Sequence, residues 1–305
     1  MAIRFDNRVA IVTGAGGGLG RAHALALAAR GAKVVVNDFG GALDGTGGAA
    51  TPAEKVVAEI KAAGGDAIAN AASVTDFAAV EKMVGQAWAK WGRVDILVCN
   101  AGILRDKTFA KMELDDFKAV LDVHLMGAVN CCKAVWEIMR QQNYGRIVLT
   151  SSSSGLFGNF GQTNYAAAKM GLVGFMNALG LEGAKYNIHV NCLAPTAATR
   201  MTDTLMPPEV LAAMKPEAVS PAVLAMVHDG APNRAIINAG ANSFERTYVA
   251  LTKGVNIPLG PDSPDQVVAR WDEISNRAGD LLPENAGGQG RQELTKAGIN
   301  RSTRG

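Results

Sequence analysis

A doubly wound α/β fold, with a parallel sheet of about seven strands flanked by helices and a C-terminal extension, is predicted by three features of the chain. Short β-branched runs alternate with longer helical stretches along most of the 305 residues. The runs are near-continuous Val and Ile, as strands buried on both faces require. The helical stretches end in Gly just before the next run, the usual punctuation between helix and strand.

The first run spans 8–13 (RVAIVT) and leads through a Gly-rich turn into RAHALALAARG, a helix ending at Gly31. The second run, 33–38 (KVVVND), opens into a Gly-rich loop, 39–50. TPAEKVVAEIKAAGG then reads as a helix closed by Gly64 and Gly65. Further strands are expected at 66–70 (DAIAN), 94–99 (VDILVC), 145–150 (GRIVLT), 187–193 (NIHVNCL) and 234–239 (RAIINA). Between the last two lies a long Pro-punctuated excursion. Residues 196–232 read as a substrate lid, because Met201, Leu205, Met206, Leu211 and Met214 supply flexible apolar side chains. Packing of those residues into the core is the plainer alternative. Near the C-terminus, Ser263 can cap a helix with Pro264 in its first position and Val267, Val268, Trp271 and Ile274 on one face. From about 283 the tail is rich in Gly, Asn and Gln and is expected to be poorly ordered.

Composition excludes several classes. Apolar residues make up 48% and charged residues 19%, so the chain is globular. A net charge of +2 leaves no basic footprint for nucleic acid and no polybasic membrane patch. No apolar run reaches the length of a membrane span, and no signal architecture precedes the first strand. Cys99, Cys131, Cys132 and Cys192 form no C-x-x-C pair and lie in apolar segments, which suits a reducing, cytoplasmic compartment. His23, His189 and His228 show no metal-ligand spacing, and no metal is implied.

The chemistry lies at the strand ends. After the first strand, Thr13–Gly20 (TGAGGGLG) places Gly14, Gly18, Leu19 and Gly20 where a tight turn bares backbone N–H groups at a helix start, as a pyrophosphate requires. G-x-G-x-x-G does not fit here; T-G-x-x-x-G-x-G does. Asp38 ends the second strand, where a carboxylate can accept from both hydroxyls of an adenosine ribose and repels a 2′-phosphate, so NAD is favoured over NADP. Ser73 and Val74 follow the third strand and can flank the adenine; Asn100, Ala101 and Gly102 follow the fourth. The fifth strand runs into Ser152, and thirteen residues on is Tyr165, with Lys169 one helical turn beyond. An ammonium beside a phenol favours the phenolate, and a Ser hydroxyl can hold the same substrate oxygen. A Y-x-x-x-K pair alone proves little. Its place after a Ser-ended strand, downstream of a phosphate loop and a strand-ending Asp, makes coincidence remote.

On these residues the chain resembles the short-chain dehydrogenase/reductase family, with Gly14, Gly18 and Gly20 as its cofactor glycines, Asn100–Gly102 as its N-A-G turn, and Ser152, Tyr165 and Lys169 as its catalytic set. VVVNDFGG, AGILRDKTFAKM, YGRIVLTSSSSGLFGNFGQTNYAAAK and EGAKYNIHVNCLAP further resemble the (3R)-hydroxyacyl-CoA dehydrogenase domains of peroxisomal multifunctional β-oxidation enzymes, also called 17β-hydroxysteroid dehydrogenase type 4, and their stand-alone bacterial relatives. The resemblance implies a Rossmann-like NAD-binding and catalytic domain over 1–250, with 251–305 as an extension packed on it. It implies oxidation of a 3-hydroxyacyl-CoA, or of a steroid ring alcohol, by a homodimer or homotetramer built through 112–140 and 165–183. Ala197 and Thr199 would contact the nicotinamide amide, near Thr196 where many relatives have Gly. Arg105, Lys107, Arg200 and Lys253 could meet the CoA phosphates, although each alone reads more simply as a solvated surface charge. One departure stands out: His124 replaces the Asn that completes the family's catalytic tetrad. It either holds a proton-relay water near Lys169 or supports the helix backbone.

Overall fold

The computed structural model describes residues 2–41, 44, 51–197 and 207–299. The chain divides into two compact units, Met1–Thr247 and Tyr248–Gly305.

The first unit alternates as predicted. β1 (Val9–Thr13) leads to α1 (Gly18–Ala29), β2 (Lys33–Asn37), α2 (Thr51–Ala62), β3 (Ala67–Asn70), α3 (Phe77–Trp91) and β4 (Ile96–Cys99). Then come α4 (Leu114–Leu121), a π-helical turn over Asp122–Met126, α5 (Gly127–Gln142), β5 (Gly145–Thr150), α6 (Ser153–Phe157), α7 (Thr163–Gly183) and β6 (Ile188–Pro195). The unit closes with α8 (Pro208–Ala213), α9 (Ser220–Val227), β7 (Ile236–Gly240) and β8 (Ser243–Thr247). The strand order is β3-β2-β1-β4-β5-β6-β7-β8. Every pair is parallel except β7 with β8.

The eighth strand is a departure from the expected seven. β7 and β8 form a hairpin whose turn, Ala241 and Asn242, takes φ of 47° and 60°. Positive φ at both central residues is the hairpin geometry, usually marked by Asn-Gly. Ala-Asn carries no such mark, and SFERT shows no apolar alternation.

Period-two alternation splits the strands between two cores. Ala10 and Val12 of β1, with Val34 and Val36 of β2, face α1 and α2 through Ala24, Leu27, Val56 and Ile60, and the same core continues over Val148 of β5 and Leu193 of β6 to Val223 of α9. Val9, Ile11 and Val35 face the other side, against Met83 of α3, Val135 and Met139 of α5, and Leu172 and Met176 of α7. Each Leu, Ile or Val so buried contributes about 1.5–3 kcal/mol. Helix ends follow local chemistry: Asp76 caps α3 by accepting from Ala79 N (3.1 Å), and Gly92 ends it at φ 71°.

The predicted lid needs correcting over its second half. Val219, Ala222, Val223, Met226 and Val227 are buried in the first core, so α9 is a packing helix. Leu211 and Met214, on and just after α8, are half-buried. Met201, Leu205 and Met206 lie outside the described residues.

The second unit holds α10 (Ser263–Ala269), α11 (Trp271–Ile274) and α12 (Ala286–Lys296). The expected single helix is broken at Arg270. Ser263 is not its cap: its Oγ accepts from Gly260 N (2.7 Å) and donates to Pro258 O (3.0 Å). The tail beyond 283 was expected to lack order, yet 286–296 is helical. There Gln292 Nε2 donates to Thr252 O and Lys253 O.

Candidate active site

β1 and β4 are neighbours in the sheet, but their chain connections run to opposite sides. Their carboxyl ends therefore part, leaving a crevice at the point where the strand order reverses. A cleft of about 330 Å³ lies there.

The glycine loop forms its floor. Gly14 and Gly18 take φ of 61° and 50°, which side chains with a Cβ rarely adopt. A Cβ on Gly20 would lie 2.2 Å from Gly14 O, so α1 packs against the loop only because Gly20 has none. Gly14, Gly18 and Leu19 line the cleft, while Gly20 sits behind it. No side chain caps α1, and no acid sits in its first turn. Its first N–H groups thus remain available to an anion.

Asp38 stands at the far wall. Its Oδ2 accepts from Gly16 N and its Oδ1 from Gly40 N, both at 2.7 Å. Each oxygen keeps a lone pair for a further donor. Asn37, one residue earlier, donates to Asn70 Oδ1 and Ala72 O (2.9 Å each), fixing the chain that presents Ser73 and Val74.

Asn100 is a clasp. Its Nδ2 donates to Thr13 O and Gly14 O (3.1 Å each), and Thr13 Oγ1 accepts from Asn100 N (3.0 Å) and Ala101 N (3.1 Å). The turn Asn100–Gly102 is thereby tied to the glycine loop across the crevice.

The reacting groups arrive from three elements. Ser152 follows β5 and caps α6, its Oγ accepting from Ser154 N (3.1 Å). Tyr165 and Lys169 share one face of α7, with Lys169 Nζ 5.4 Å from the Tyr165 ring centroid. Lys169 Nζ donates to Thr150 O (2.5 Å), and Ser151 Oγ to Lys169 O (2.8 Å), which binds the helix to β5. His124 comes from the π turn, edge-on to Tyr165 with centroids 5.1 Å apart. A Cβ on Gly102 would lie 2.2 Å from His124 Cε1, so Gly102 is what admits the ring. Tyr165, Lys169 and His124 line the cleft together with Asn100–Gly102.

His124 does support the backbone, since Nε2 lies 2.8 Å from Ile103 O and 3.1 Å from Ile103 N. Its Nδ1 and Thr150 Oγ1 are buried without a protein partner, and both residues line one small cavity with Lys169. Burial, then Lys169, holds the His124 imidazole well below 6.5. Burial pushes Lys169 down to about 7. Tyr165 departs from expectation: burial raises its phenol above 10, against the lowering effect of a hydrogen bond with Ser152. The Lys169 ammonium, expected to act on that phenol, is turned to the Thr150 carbonyl.

Other expectations meet the structure differently. Ala197 packs against the first core and not on the cleft, where Pro195 takes its place. Thr199 and Arg200 lie outside the described residues. Arg105 and Lys107 both engage Asp116 (3.0 Å each). Asn37, Phe39, Ala72, Ile103, Leu104, Val123 and Thr150 also line the cleft. The sequence signal for them was their position, just past a strand's carboxyl end or beside a predicted site residue. No cluster of metal-ligating groups occurs among the described residues, nor any helix long and apolar enough to cross a membrane.

Comparison with known proteins agrees with this geometry. The short chain dehydrogenase family profile matches residues 8–209. A short-chain type dehydrogenase/reductase of Mycobacterium tuberculosis is 51% identical over 275 residues, 90% of this chain and 96% of that one. The structure of full-length peroxisomal multifunctional enzyme type 2 from Drosophila melanogaster superposes with a TM-score of 0.79 at 35% identity. That match covers 97% of this chain but half of the other. A 7α-hydroxysteroid dehydrogenase complexed with NADH and 7-oxo glycochenodeoxycholic acid gives a TM-score of 0.70 at 28% identity, covering 79% and 95% of the two chains.

Proposed function

The chain belongs to the short-chain dehydrogenase family, and from that premise we propose that it is an NAD-dependent enzyme oxidising a 3-hydroxyacyl-CoA, with a fatty or steroid side-chain acyl part, to the 3-ketoacyl-CoA. The observation that carries this reading is the meeting of Ser152, Tyr165 and Lys169 beside a cleft floored by the glycine loop. The multifunctional enzyme among the structural matches supports the acyl-CoA substrate. The neighbour complexed with NADH supports the cofactor.

The residues fit NAD. Gly14, Gly18 and the start of α1 would receive the pyrophosphate, Asp38 the adenosine ribose, Ser73 and Val74 the adenine, and Lys169 the nicotinamide ribose. Bound NAD would accept the hydrogen and the electron pair leaving the carbinol carbon. Tyr165 takes the hydroxyl proton. Ser152, whose Oγ already accepts from Ser154 N, donates its O–H to the same oxygen. His124 Nδ1 and Thr150 Oγ1 suit a water through which Lys169 exchanges protons. The acid–base step is worth roughly 10²–10⁴-fold in rate. The proposal includes a homodimer or homotetramer and a cytoplasmic location.

The second reading, a 17β-hydroxysteroid dehydrogenase, is favoured by the hydroxysteroid dehydrogenase among the structural matches. Initial rates of NAD reduction with a (3R)-hydroxyacyl-CoA, its (3S) isomer and testosterone separate the two. A preference for testosterone would overturn the acyl-CoA assignment. Tyr165→Phe should abolish turnover while NADH still binds; unimpaired turnover would remove Tyr165 from the reacting set, and a wild-type chain that binds NADH but oxidises no substrate would be a cofactor-binding scaffold.

A further inference from the structure

The loop from β4 to α4 is stitched to the loop between α6 and α7. Lys107 N donates to Gly161 O (3.0 Å), Asn164 Nδ2 to Arg105 O (3.1 Å) and Gln162 Nε2 to Asp106 Oδ2 (2.6 Å). The Gln162 carbonyl is engaged as well, accepting from Ser154 Oγ (2.8 Å) and Asn159 Nδ2 (2.9 Å). Ser154 N then donates to Ser152 Oγ (3.1 Å). A continuous chain of hydrogen bonds thus runs from Asp106 through Gln162 and Ser154 to Ser152. Its polarity is fixed, because a carboxylate only accepts: the Gln162 NH₂ must face Asp106, and its carbonyl must face Ser154.

We propose that Asp106 and Gln162 are positioning residues, which hold Ser152 with its O–H free to donate to the oxygen that Tyr165 works on. The inference rests on the reading of Ser152 and Tyr165 as the reacting pair. Lys169 from its own helix and His124 from the π turn lie against the Tyr165 ring. A hydrogen bond with Ser152 favours the ionised phenol, and the Asp106 charge opposes it. The loop therefore holds the Ser donor in place, with Asp106 fixing the orientation of the Gln162 amide.

Two measurements test this. Gln162→Leu cuts the chain of bonds, and kcat should fall on the order of 10- to 10²-fold while NADH affinity holds. A kcat within twofold of wild type, or a parallel loss of NADH affinity, overturns the positioning role. If Gln162→Leu does not fold, Ser154→Ala makes the same cut, losing the hydroxyl donor but keeping the N–H to Ser152. Tyrosinate absorbance during alkaline titration, taken as the difference between each protein and its Tyr165→Phe counterpart, isolates one of the four tyrosines. The Tyr165 midpoint should move to higher pH in Gln162→Leu, because a loosened Ser152 hydroxyl no longer favours the phenolate, and an unmoved midpoint overturns the inference. A wild-type chain that reduces no NAD would defeat the proposed function, whereas the titration needs no turnover and still decides the inference.

Discussion

Replacing Lys169 by Met should make the protein more stable and inactive, with a gain that depends on pH. Lys169 is 3% exposed, and burial takes its pKa from 10.5 to about 7. At about 1.4 kcal/mol per pH unit, that drop amounts to roughly 5 kcal/mol of penalty on the protonated form. The unfolded chain holds more protons than the folded chain between about pH 7 and 10.5, so stability rises with pH through that window. The penalty is fully present below pH 7 and gone above 10.5. Met removes it, but also removes the bond to Thr150 O, worth about 1 kcal/mol. The net gain expected at pH 6 is ~2–4 kcal/mol, shrinking to nothing or reversing by pH 10.5. Urea unfolding of both proteins at pH 6, 8 and 10 reads this directly, because titrations common to both cancel in the difference. A stability difference that stays flat across that range would refute the reasoning.

Other substitutions probe the cofactor side and the core. Asp38→Ala should lower the NAD-over-NADP ratio of kcat/KM by ~10²-fold, since it removes the ribose acceptor and the repulsion together; an unchanged ratio would contradict the assignment. Gly20→Ala places a methyl 2.2 Å from Gly14 O and 2.6 Å from Asn100 Nδ2, so it should cost ~1–3 kcal/mol in denaturant unfolding and weaken NADH binding. Gly17→Ala, with open space around its Cβ, should escape that clash and cost only the difference between Gly and Ala at the N-cap of α1, less than Gly20→Ala. His23 is fully buried, 2.9 Å from Ser220 Oγ, and burial holds its pKa at about 3. It stays neutral when folded but takes a proton when unfolded below pH 6.5. The stability held above that pH is thus lost progressively toward pH 3, by up to ~5 kcal/mol. His23→Gln should flatten the acid limb of the unfolding curve; an identical limb in both proteins would exclude His23 as its source.

The features legible in the sequence are those with a fixed local signature. β-Branched runs bounded by Gly located the seven strands from β1 to β7, and the phosphate loop, Asp38, Ser152, Tyr165 and Lys169 each sit at a strand end or one helical turn apart. What stayed hidden depends on long-range packing. The β7–β8 turn lacks its usual residues, so β8 carried no mark. The helix of 220–227 looked like lid because Pro and Met surround it, yet Val219, Val223 and Val227 are buried in the first core, where the helix packs on α1, β5 and β6. The Tyr165 phenol was misjudged for a related reason. Spacing on a helix puts Lys169 beside it, but depth in the fold sets the cost of charging either group.

That cost explains why the π turn matters. An uninterrupted α-helix from α4 into α5 would carry residue 124 on a different azimuth; the extra residue in the turn re-aims it, as such bulges do at functional sites. The ring then fits only over Gly102 and is pinned through Nε2 to the backbone of Ile103. Ile103 begins the same loop that carries Arg105, Asp106 and Lys107 to the α6–α7 loop. His124 at one end and Gln162 at the other thus fix a single segment, 103–107, between the base of the cleft and the catalytic helix. Loosening either end should disturb Ser152 and Tyr165 together. A double substitution, His124→Ala with Gln162→Leu, is therefore expected to lower kcat by less than the product of the two single losses. Independent, multiplicative losses would mean that the two ends act separately.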